Sequence, residues 1–206
     1  MQPRNAGCYN NMGNVCQQEG DFKEAIKYYE LTLKYDPDHH MAHNNLGVAA
    51  LRMGDYQKAQ QFLQRALLLS PNYAGAHNNL GECYSYRGEF KKAFESYNKA
   101  VMLESQLVDA NWNRALSYLL RGELAKGFKE YEWRWKRPGV PARDIDASKR
   151  WQGQGLEGKN IFIYEEQGLG DAIQFIRYLP LLKELGARVI FEASPALIRL
   201  FEPDSN

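Results

Sequence analysis

The sequence has few cysteines and no arrangement of them that suggests a covalent cross-link. Only Cys8, Cys16 and Cys83 occur among 206 residues, and none stands in a C-x-x-C pair. An odd number of cysteines without regular spacing argues against a disulfide framework. We interpret all three as small buried apolar residues.

Long apolar runs and an excess of one charge are also missing. No apolar stretch approaches the ~18 residues that a membrane helix needs. The segment Met1–Gly7 has no apolar run of the kind that a secretory signal requires. The formal net charge of +1 provides no basic field for nucleic acid. We therefore expect a folded cytoplasmic protein whose partners are neither membranes nor nucleic acid.

A short word recurs along the chain at a fixed interval. Asn-Asn-Leu-Gly stands at 44–47 and again at 78–81, and 10–13 is a looser copy. The asparagines at 11, 45, 79 and 113 are each 34 residues apart. This is the period of tetratricopeptide repeats, which stack as helix-turn-helix units. Glycine, alanine and aromatic residues recur at the same interval, so the chain resembles the tetratricopeptide family.

That resemblance implies a mainly α fold, a superhelix of about four hairpins at 6–39, 40–73, 74–107 and 108–135. The fourth repeat departs from the pattern, with Arg114 at a normally apolar position, Ala115 for the first glycine and Gly127 for alanine. Terminal repeats are atypical because one face lacks a repeat neighbour. The aromatics that follow favour a junction with another domain over a stacking platform for single-stranded nucleic acid. The residues concerned are Trp133, Trp135, Lys136, Arg137, Lys149, Arg150 and Trp151.

The first helix of a tetratricopeptide hairpin lines the concave groove, so the recurring asparagines are expected to form a row there. An amide carries a donor and an acceptor and pairs with the backbone of an extended peptide. The row resembles the asparagine ladder of the O-linked N-acetylglucosamine transferase family. The alternative is that these amides link adjacent repeats by local hydrogen bonds. The predicted groove residues are Asn11, Asn45, Asn79 and Asn113, flanked by Asn10, Asn44 and Asn78, with Trp112 as a possible side-chain anchor.

Histidines offer a weaker hypothesis, a metal site. His39, His40 and His43 have helix-compatible spacing, and His77 lies one repeat later. No cysteine or suitably spaced aspartate completes a ligand set, whereas His43 and His77 share one repeat position. We favour duplication of a packing residue and predict no metal and no cofactor.

Between 136 and 159 the periodicity stops, which predicts a linker. Its glycines nearly spell a phosphate-binding loop, but they precede an apolar run, whereas such loops follow a strand. We interpret this segment as a turn that leads into a strand.

The segment 160–206 has the order strand, glycine loop, helix, strand. A strand at 161–164 precedes Gly168 and Gly170, a helix begins near Asp171, and a second strand covers 188–192. The words Glu166–Asp171, Gln174-Phe175 and Arg177–Pro180 resemble the glycosyltransferase-like domain found after tetratricopeptide repeats, which is akin to heptosyltransferases. The resemblance implies a truncated Rossmann-like βαβ segment of a GT-B enzyme with a nucleotide-sugar donor. It assigns Asp171 as base and Gly168 and Gly170 to the substrate loop; the alternative for Asp171 is a helix cap.

Two functions follow. The first is a binding module for an extended peptide or partner protein, with an incomplete glycosyltransferase-like appendage and no turnover. The second is a fragment of a bacterial protein-modifying glycosyltransferase, inactive at this length because the donor domain is missing. Two strands cannot cover Ile161, Ile163, Val189 and Ile190, so we also expect self-association through the truncated segment.

Overall fold

The computed structural model describes residues 5–139, 149–166 and 168–201. The chain divides into two compact units, Met1–Ala142 and Arg143–Asn206. Residues 140–148 of the predicted linker, Gln167 of the glycine loop and the end of the predicted C-terminal segment at 202–206 lie outside the described residues.

The first unit consists of four helical hairpins. Successive hairpins begin at residues 6, 40, 74 and 108, so the period of 34 seen in the sequence is also the period of the structure. Each hairpin packs its two helices together, and the second helix contacts the first helix of the next hairpin. The helices are α1 Ala6–Gln18, α2 Phe22–Tyr35, α3 His40–Arg52, α4 Tyr56–Leu69, α5 Ala74–Tyr86, α6 Phe90–Leu103, α7 Val108–Leu120 and α8 Leu124–Tyr131, followed by a 3₁₀ helix Glu132–Lys136.

The turn inside each hairpin is built the same way. A glycine with φ between +75° and +83° ends the first helix, a conformation that residues with a Cβ rarely adopt. These glycines are Gly20, Gly54, Gly88 and Gly122. In the first two hairpins an aspartate follows and caps the second helix: Asp21 accepts from Glu24 N at 3.0 Å and Asp55 from Lys58 N at 3.1 Å.

Where the two helices of a hairpin cross, one of them needs a glycine. A Cβ on Gly81 of α5 would lie 2.5 Å from the Tyr97 ring, and Gly47 meets Leu63 in the same way. In the fourth hairpin a close approach lies on the second helix, where a Cβ on Gly127 would lie 2.5 Å from Leu119. Ala115 stands at the usual glycine position and is fully buried.

The core runs along the stack between successive hairpins. Leu46 packs with Ile26 and Leu33 of the preceding hairpin, and Leu80 and Cys83 join the cluster around Leu63. The prediction that all cysteines are buried is wrong for Cys8, which is exposed, and Cys16 is only half-buried. Both lie on α1, onto which no second helix of an earlier hairpin packs among the described residues.

The second unit contains a parallel strand pair. Strand β1 Asn160–Tyr164 pairs with β2 Arg188–Glu192, and Ile161 stands opposite Val189. The connection contains α9 Leu169–Phe175, a 3₁₀ turn Ile176–Tyr178 and α10 Leu179–Glu184, and α11 Pro195–Phe201 follows β2. Lys159 N donates to Leu156 O at 2.9 Å and closes a turn just before β1, so the predicted turn into the strand is confirmed.

Two expectations for this unit need adjustment. The single predicted helix is broken, because Pro180 lies at the start of α10, lacks an N–H and cannot continue the helical ladder. The structure is a two-stranded sheet and does not clearly form a Rossmann-like domain. The expected incomplete cover is present: Phe162 and Ile190, opposite each other, are 51% and 50% exposed, while Ile161, Ile163 and Val189 are half-buried.

Candidate functional site: a polar cleft on the first helices

Neighbouring first helices α1, α3, α5 and α7 contact one another and form one surface, which we call the first-helix face. A cleft of about 340 Å³ opens on this face across α3, α5 and α7. Its lining is almost entirely polar and charged. The residues are Arg52, Asn78, Asn79, Glu82, Ser85, Tyr86, Tyr97, Asp109, Asn113 and Arg137.

The asparagines of this face form hydrogen bonds from one repeat to the next. Asn79 Nδ2 donates to Asn44 Oδ1 at 2.9 Å, and Asn113 Nδ2 donates to Asn78 Oδ1 at 3.1 Å. Asn45 Nδ2 donates to two acceptors of the first repeat, Asn10 and Asn14, at 3.2 and 2.9 Å. The acceptors Asn10, Asn44 and Asn78 are buried. Inter-repeat bonding, which the sequence left as an alternative, is therefore a real role of these amides.

The asparagine side chains differ in how many hydrogen-bonding groups remain after the inter-repeat bonds are made. An amide offers two donors and an oxygen with two lone pairs. Asn45 has both N–H groups engaged. Among the described residues, Asn79 donates once and accepts once, from Asn78 at 3.4 Å, and so retains one N–H and one lone pair. Asn113 also retains an N–H and oxygen lone pairs, and both residues line the cleft.

The two ends of the predicted row lie differently. Asn11 is exposed on α1 and makes no hydrogen bond through its side chain within the described part of the chain. Trp112 does not extend freely into the face. Its ring packs against Tyr131 at 4.7 Å between centroids, and the Arg137 guanidinium lies over it at 5.3 Å.

Charges of both signs surround the cleft, and they are paired. Arg52 Nη1 lies 2.8 Å from Glu82 Oε1, and Arg137 Nε lies 3.4 Å from Asp109 Oδ1. These pairs are partly exposed, so each contributes little to stability and is available for exchange with a ligand's charges. Four further cleft residues were not predicted, although they lie on the same helix face as the asparagines: Arg52, Glu82, Tyr86 and Asp109.

Cations stack on the aromatic rings that follow α8. Lys136 Nζ lies 3.9 Å from the Trp133 ring centroid, and Arg134 lies over Tyr131 and Trp135 at 4.8 and 4.4 Å. Nearby, Arg114 forms a bidentate pair with Glu130 at 2.8 and 2.6 Å, which explains a charge at this normally apolar position. Because the chain's own cations lie over these rings, the structure favours internal packing of the aromatic residues over stacking with the bases of a nucleic acid. Lys149, Arg150 and Trp151 belong to the second unit, where Trp151 Nε1 donates to Gln154 O at 2.6 Å.

The histidines have the packing role that their shared position predicted. His43 Nε2 donates to Pro37 O and His77 Nε2 to Pro71 O, both at 2.9 Å. Asn111 continues this in the fourth repeat by donating to Ser105 O at 3.0 Å. His39 caps α3 by accepting from Ala42 N at 3.2 Å. Within the described ranges, no group of three or more residues could hold a metal ion.

A second, wider depression of about 670 Å³ lies beside α4. Amide side chains dominate its lining, and Arg87 donates to Gln60 at its edge. Its lining residues are Gly54, Asp55, Tyr56, Gln57, Gln60, Gln61, Gln64 and Arg87.

In the second unit, Gly168 is the residue before α9, and Asp171 is exposed in the first turn. Asp171 is therefore not the helix cap, because α9 begins two residues earlier than predicted, at Leu169. Its charge still lies where the helix dipole favours an anion. A Cβ added to Gly170 would have no heavy atom of another residue within 4 Å, apart from its chain neighbours and the backbone of its own helix. Glu165, just after β1, accepts from Ser194 N at 2.9 Å and so joins the loops that follow the two strands.

None of the described helices has the length and apolarity required to cross a membrane.

Comparison with known proteins identifies the repeats. The tetratricopeptide repeat family matches residues 4–69 and 38–103. The crystal structure of MamA is 27% identical, with a TM-score of 0.56 over 66% of this chain and 79% of that one. MamA 41-end from Desulfovibrio magneticus RS-1 is 21% identical, with a TM-score of 0.55 over 66% and 78% of the two chains.

The first tetratricopeptide domain of Spaghetti (RPAP3), solved with the HSP90 peptide SRMEEVD, is 20% identical, with a TM-score of 0.55. It covers 59% of this chain and 97% of that one. No curated protein matches. The family match, together with the hairpins that recur every 34 residues, establishes that this chain carries tetratricopeptide repeats.

Proposed function

We propose that the repeats bind an extended segment of a partner protein on the first-helix face. The observation that carries the proposal is the polar cleft in which Asn79 and Asn113 retain hydrogen-bonding capacity after their inter-repeat bonds are made. The peptide groups of an extended segment offer a matching donor and acceptor, whatever its sequence. In this arrangement the inter-repeat bonds hold each amide in a fixed orientation, which lowers the entropy cost of binding.

The charges of the cleft suggest how the segment is chosen. Arg52 and Arg137 are available to acidic side chains, and Glu82 and Asp109 to basic ones, so we expect a segment of mixed charge. Tyr86, half-exposed beside the cleft, provides an apolar contact. The peptide-bound structure of the RPAP3 domain, which has the same fold, supports a peptide as the class of ligand.

A random peptide library displayed on phage, selected on the immobilised chain, provides the ligand for the test. The affinity of a selected peptide is then measured by calorimetry. Asn113→Ala should weaken binding by about fivefold, because one hydrogen-bonded pair is worth on the order of 1 kcal/mol in competition with water.

Gln61→Ala is the matched control, since it removes an exposed amide from the wider depression on α4. If Gln61→Ala weakens binding and Asn113→Ala does not, the peptide binds beside α4 and the proposal is wrong. Failure to select any peptide above background would contradict the binding function itself.

For the second unit we propose kinship with glycosyltransferases that use a nucleotide-sugar donor, as the second candidate function. The sequence motifs between Glu166 and Pro180 support this relationship, and so does the order of a strand, helices and a parallel strand. In this proposal Asp171 is the base for an acceptor hydroxyl, and Gly168 and Gly170 let the backbone approach the substrates. A carboxylate has this role only when it lies within hydrogen-bonding distance of the hydroxyl.

The test is saturation-transfer NMR with UDP-N-acetylglucosamine and ADP-heptose as probes, on the wild type and Asp171→Asn. Since the described part of the second unit is a two-stranded sheet and the proposal places Asp171 on the acceptor side, we expect no donor binding and no sugar transfer by this chain alone. Donor binding that Asp171→Asn abolishes would overturn the assignment of Asp171 to the acceptor side.

A further inference from the structure

The contact between successive hairpins is formed three times within this chain, by α2 with α3, α4 with α5 and α6 with α7. Apolar or aromatic residues form this contact each time. Leu46 packs on Ile26 and Leu33, the Tyr56 and Tyr86 rings stack at 5.4 Å, and Phe94 meets Tyr118 edge-on at 5.0 Å. One surface of this contact is always a second helix, and the other is always the first helix of the next hairpin.

At one end of the stack, the first-helix surface is uncovered. Met12 and Val15 of α1 are 45% and 53% exposed, and Cys8 is also exposed. One repeat later, the same positions are Ala42, Leu46 and Ala49, all buried against α2 or within the hairpin. The surface on α1 is therefore apolar. It carries apolar residues at the positions that are buried one repeat later, but here they are exposed.

At the other end, the second-helix surface is uncovered. Leu124 and Phe128 of α8 are 54% and 62% exposed. Phe128 occupies the position of Phe94 in the third repeat, whose ring packs on the following hairpin. Leu124 lies one turn earlier, at the position of Phe90, which is also exposed. Exposed apolar surface of this kind, at a position built for packing, marks an interaction site.

We propose that a second copy of this chain stacks on the first, with α8 of one copy packed on α1 of the other. The occupant follows from continuity: the two uncovered surfaces are the two halves of the contact that already joins successive hairpins inside the chain. Such a contact uses different surfaces on the two partners and so extends head to tail. Phe128 then meets the α1 helix near Cys16, as Phe94 meets Tyr118.

The polar row does not continue across this junction. Trp112 stands where Asn78 and Asn44 accept hydrogen bonds from the next repeat, so Asn11 of the second copy finds no carbonyl oxygen there. Association therefore rests on the apolar residues. This separates the junction from the peptide cleft, which involves α3, α5 and α7.

Sedimentation velocity on the full chain over a range of concentrations tests the proposal. The wild type should form dimers and larger species as its concentration rises. Met12→Glu should abolish the α1 surface and Phe128→Glu the α8 surface, and each variant alone should associate at least roughly tenfold more weakly. Both side chains are exposed, so the fold should persist, which circular dichroism verifies. Asn11→Ala, on α1 but outside the apolar contact, should associate like the wild type.

Mixing the two glutamate variants is the decisive experiment. The intact α8 surface of Met12→Glu and the intact α1 surface of Phe128→Glu should form a one-to-one dimer that grows no further. A wild type that stays monomeric at every concentration overturns the proposal. Single variants that associate as strongly as the wild type, or a mixture that stays monomeric, overturn it as well.

Discussion

One repeat position, occupied by asparagine in all four repeats, has different surroundings in each. Asn45 uses both of its N–H groups within the stack, Asn79 and Asn113 use one each, and Asn11 is exposed on α1. The same side chain is thus a structural link at one place and a potential ligand contact at another. What differs is only which acceptors the preceding repeat supplies.

The inter-repeat bond of Asn79 should be visible as stability. Asn79→Ala removes the donor to the side-chain oxygen Oδ1 of Asn44, a buried residue. The substitution should therefore lower the free energy of unfolding by about 1–3 kcal/mol. Asn11→Ala, the same substitution at the same repeat position, should change it by less than about 0.5 kcal/mol. Urea denaturation of both variants measures this. Equal effects would show that the bond contributes nothing.

Two buried tyrosines predict how stability depends on pH. Burial raises the pKa of Tyr29 from 10.0 to about 12, and burial raises the pKa of Tyr97 as well. In the unfolded chain these hydroxyls ionise at the lower pH, so between pH 10 and 12 the unfolded state binds fewer protons than the folded state. The stability present below pH 10 should therefore be lost as the pH rises through this range.

The urea midpoint, followed across the same pH interval, measures the effect. The double variant Tyr29→Phe with Tyr97→Phe should show a shallower decline than the wild type. Identical slopes would mean that other groups control the alkaline transition.

In the second unit, the parallel strand pair is thinly covered. None of its ten residues is buried, and Phe162 and Ile190 are half-exposed on one face. Two strands alone are marginal in water. We expect the amides of β1 and β2 to exchange with deuterium faster than those of α3–α6, which enclose Leu63 and Tyr97.

Mass spectrometry after short deuterium labelling distinguishes the elements. The measurement belongs at a concentration where the chain is monomeric, since a partner strand would protect the sheet edges. Uniform protection of strands and repeats in the monomer would contradict the expectation.

At the scale of the molecule, the first unit is a linear stack in which each hairpin contacts its neighbours. Stability in such an array is approximately a sum of repeat and interface terms. Leu63→Ala, at a fully buried position of α4, should lower the free energy of unfolding by about 2–5 kcal/mol. The loss of exchange protection should be greatest in α3–α6 and least in α8.

Leu68→Ala is the control, since Leu68 lies on the same helix and is 71% exposed. It should change the free energy of unfolding by less than about 0.5 kcal/mol. Comparable losses from both substitutions would contradict the packing described for α4.

The hairpins were predictable because their determinants are local and repeated. Turn glycines with positive φ, small residues at helix crossings and a period of 34 depend on neighbours within one or two repeats. The order of strands and helices in the second unit was predictable for the same reason, since glycine loops and apolar runs alternate along the chain. Even there the break at Pro180 was missed, although proline in a helix is a local signal.

The sequence by itself determined the repeat architecture and the row of asparagines, since both are set by spacing along the chain. Only the tertiary structure decided what the row does, because hydrogen bonds between residues 35 apart, such as Asn79 to Asn44, depend on how one hairpin lies on the next. It also decided that Arg52 and Glu82 form an ion pair in the lining of the cleft, that Gly127 lies in close contact with Leu119, and that Met12 and Phe128 remain exposed. Spacing fixes which face a residue occupies, but the packing of neighbours fixes what that face can still bind.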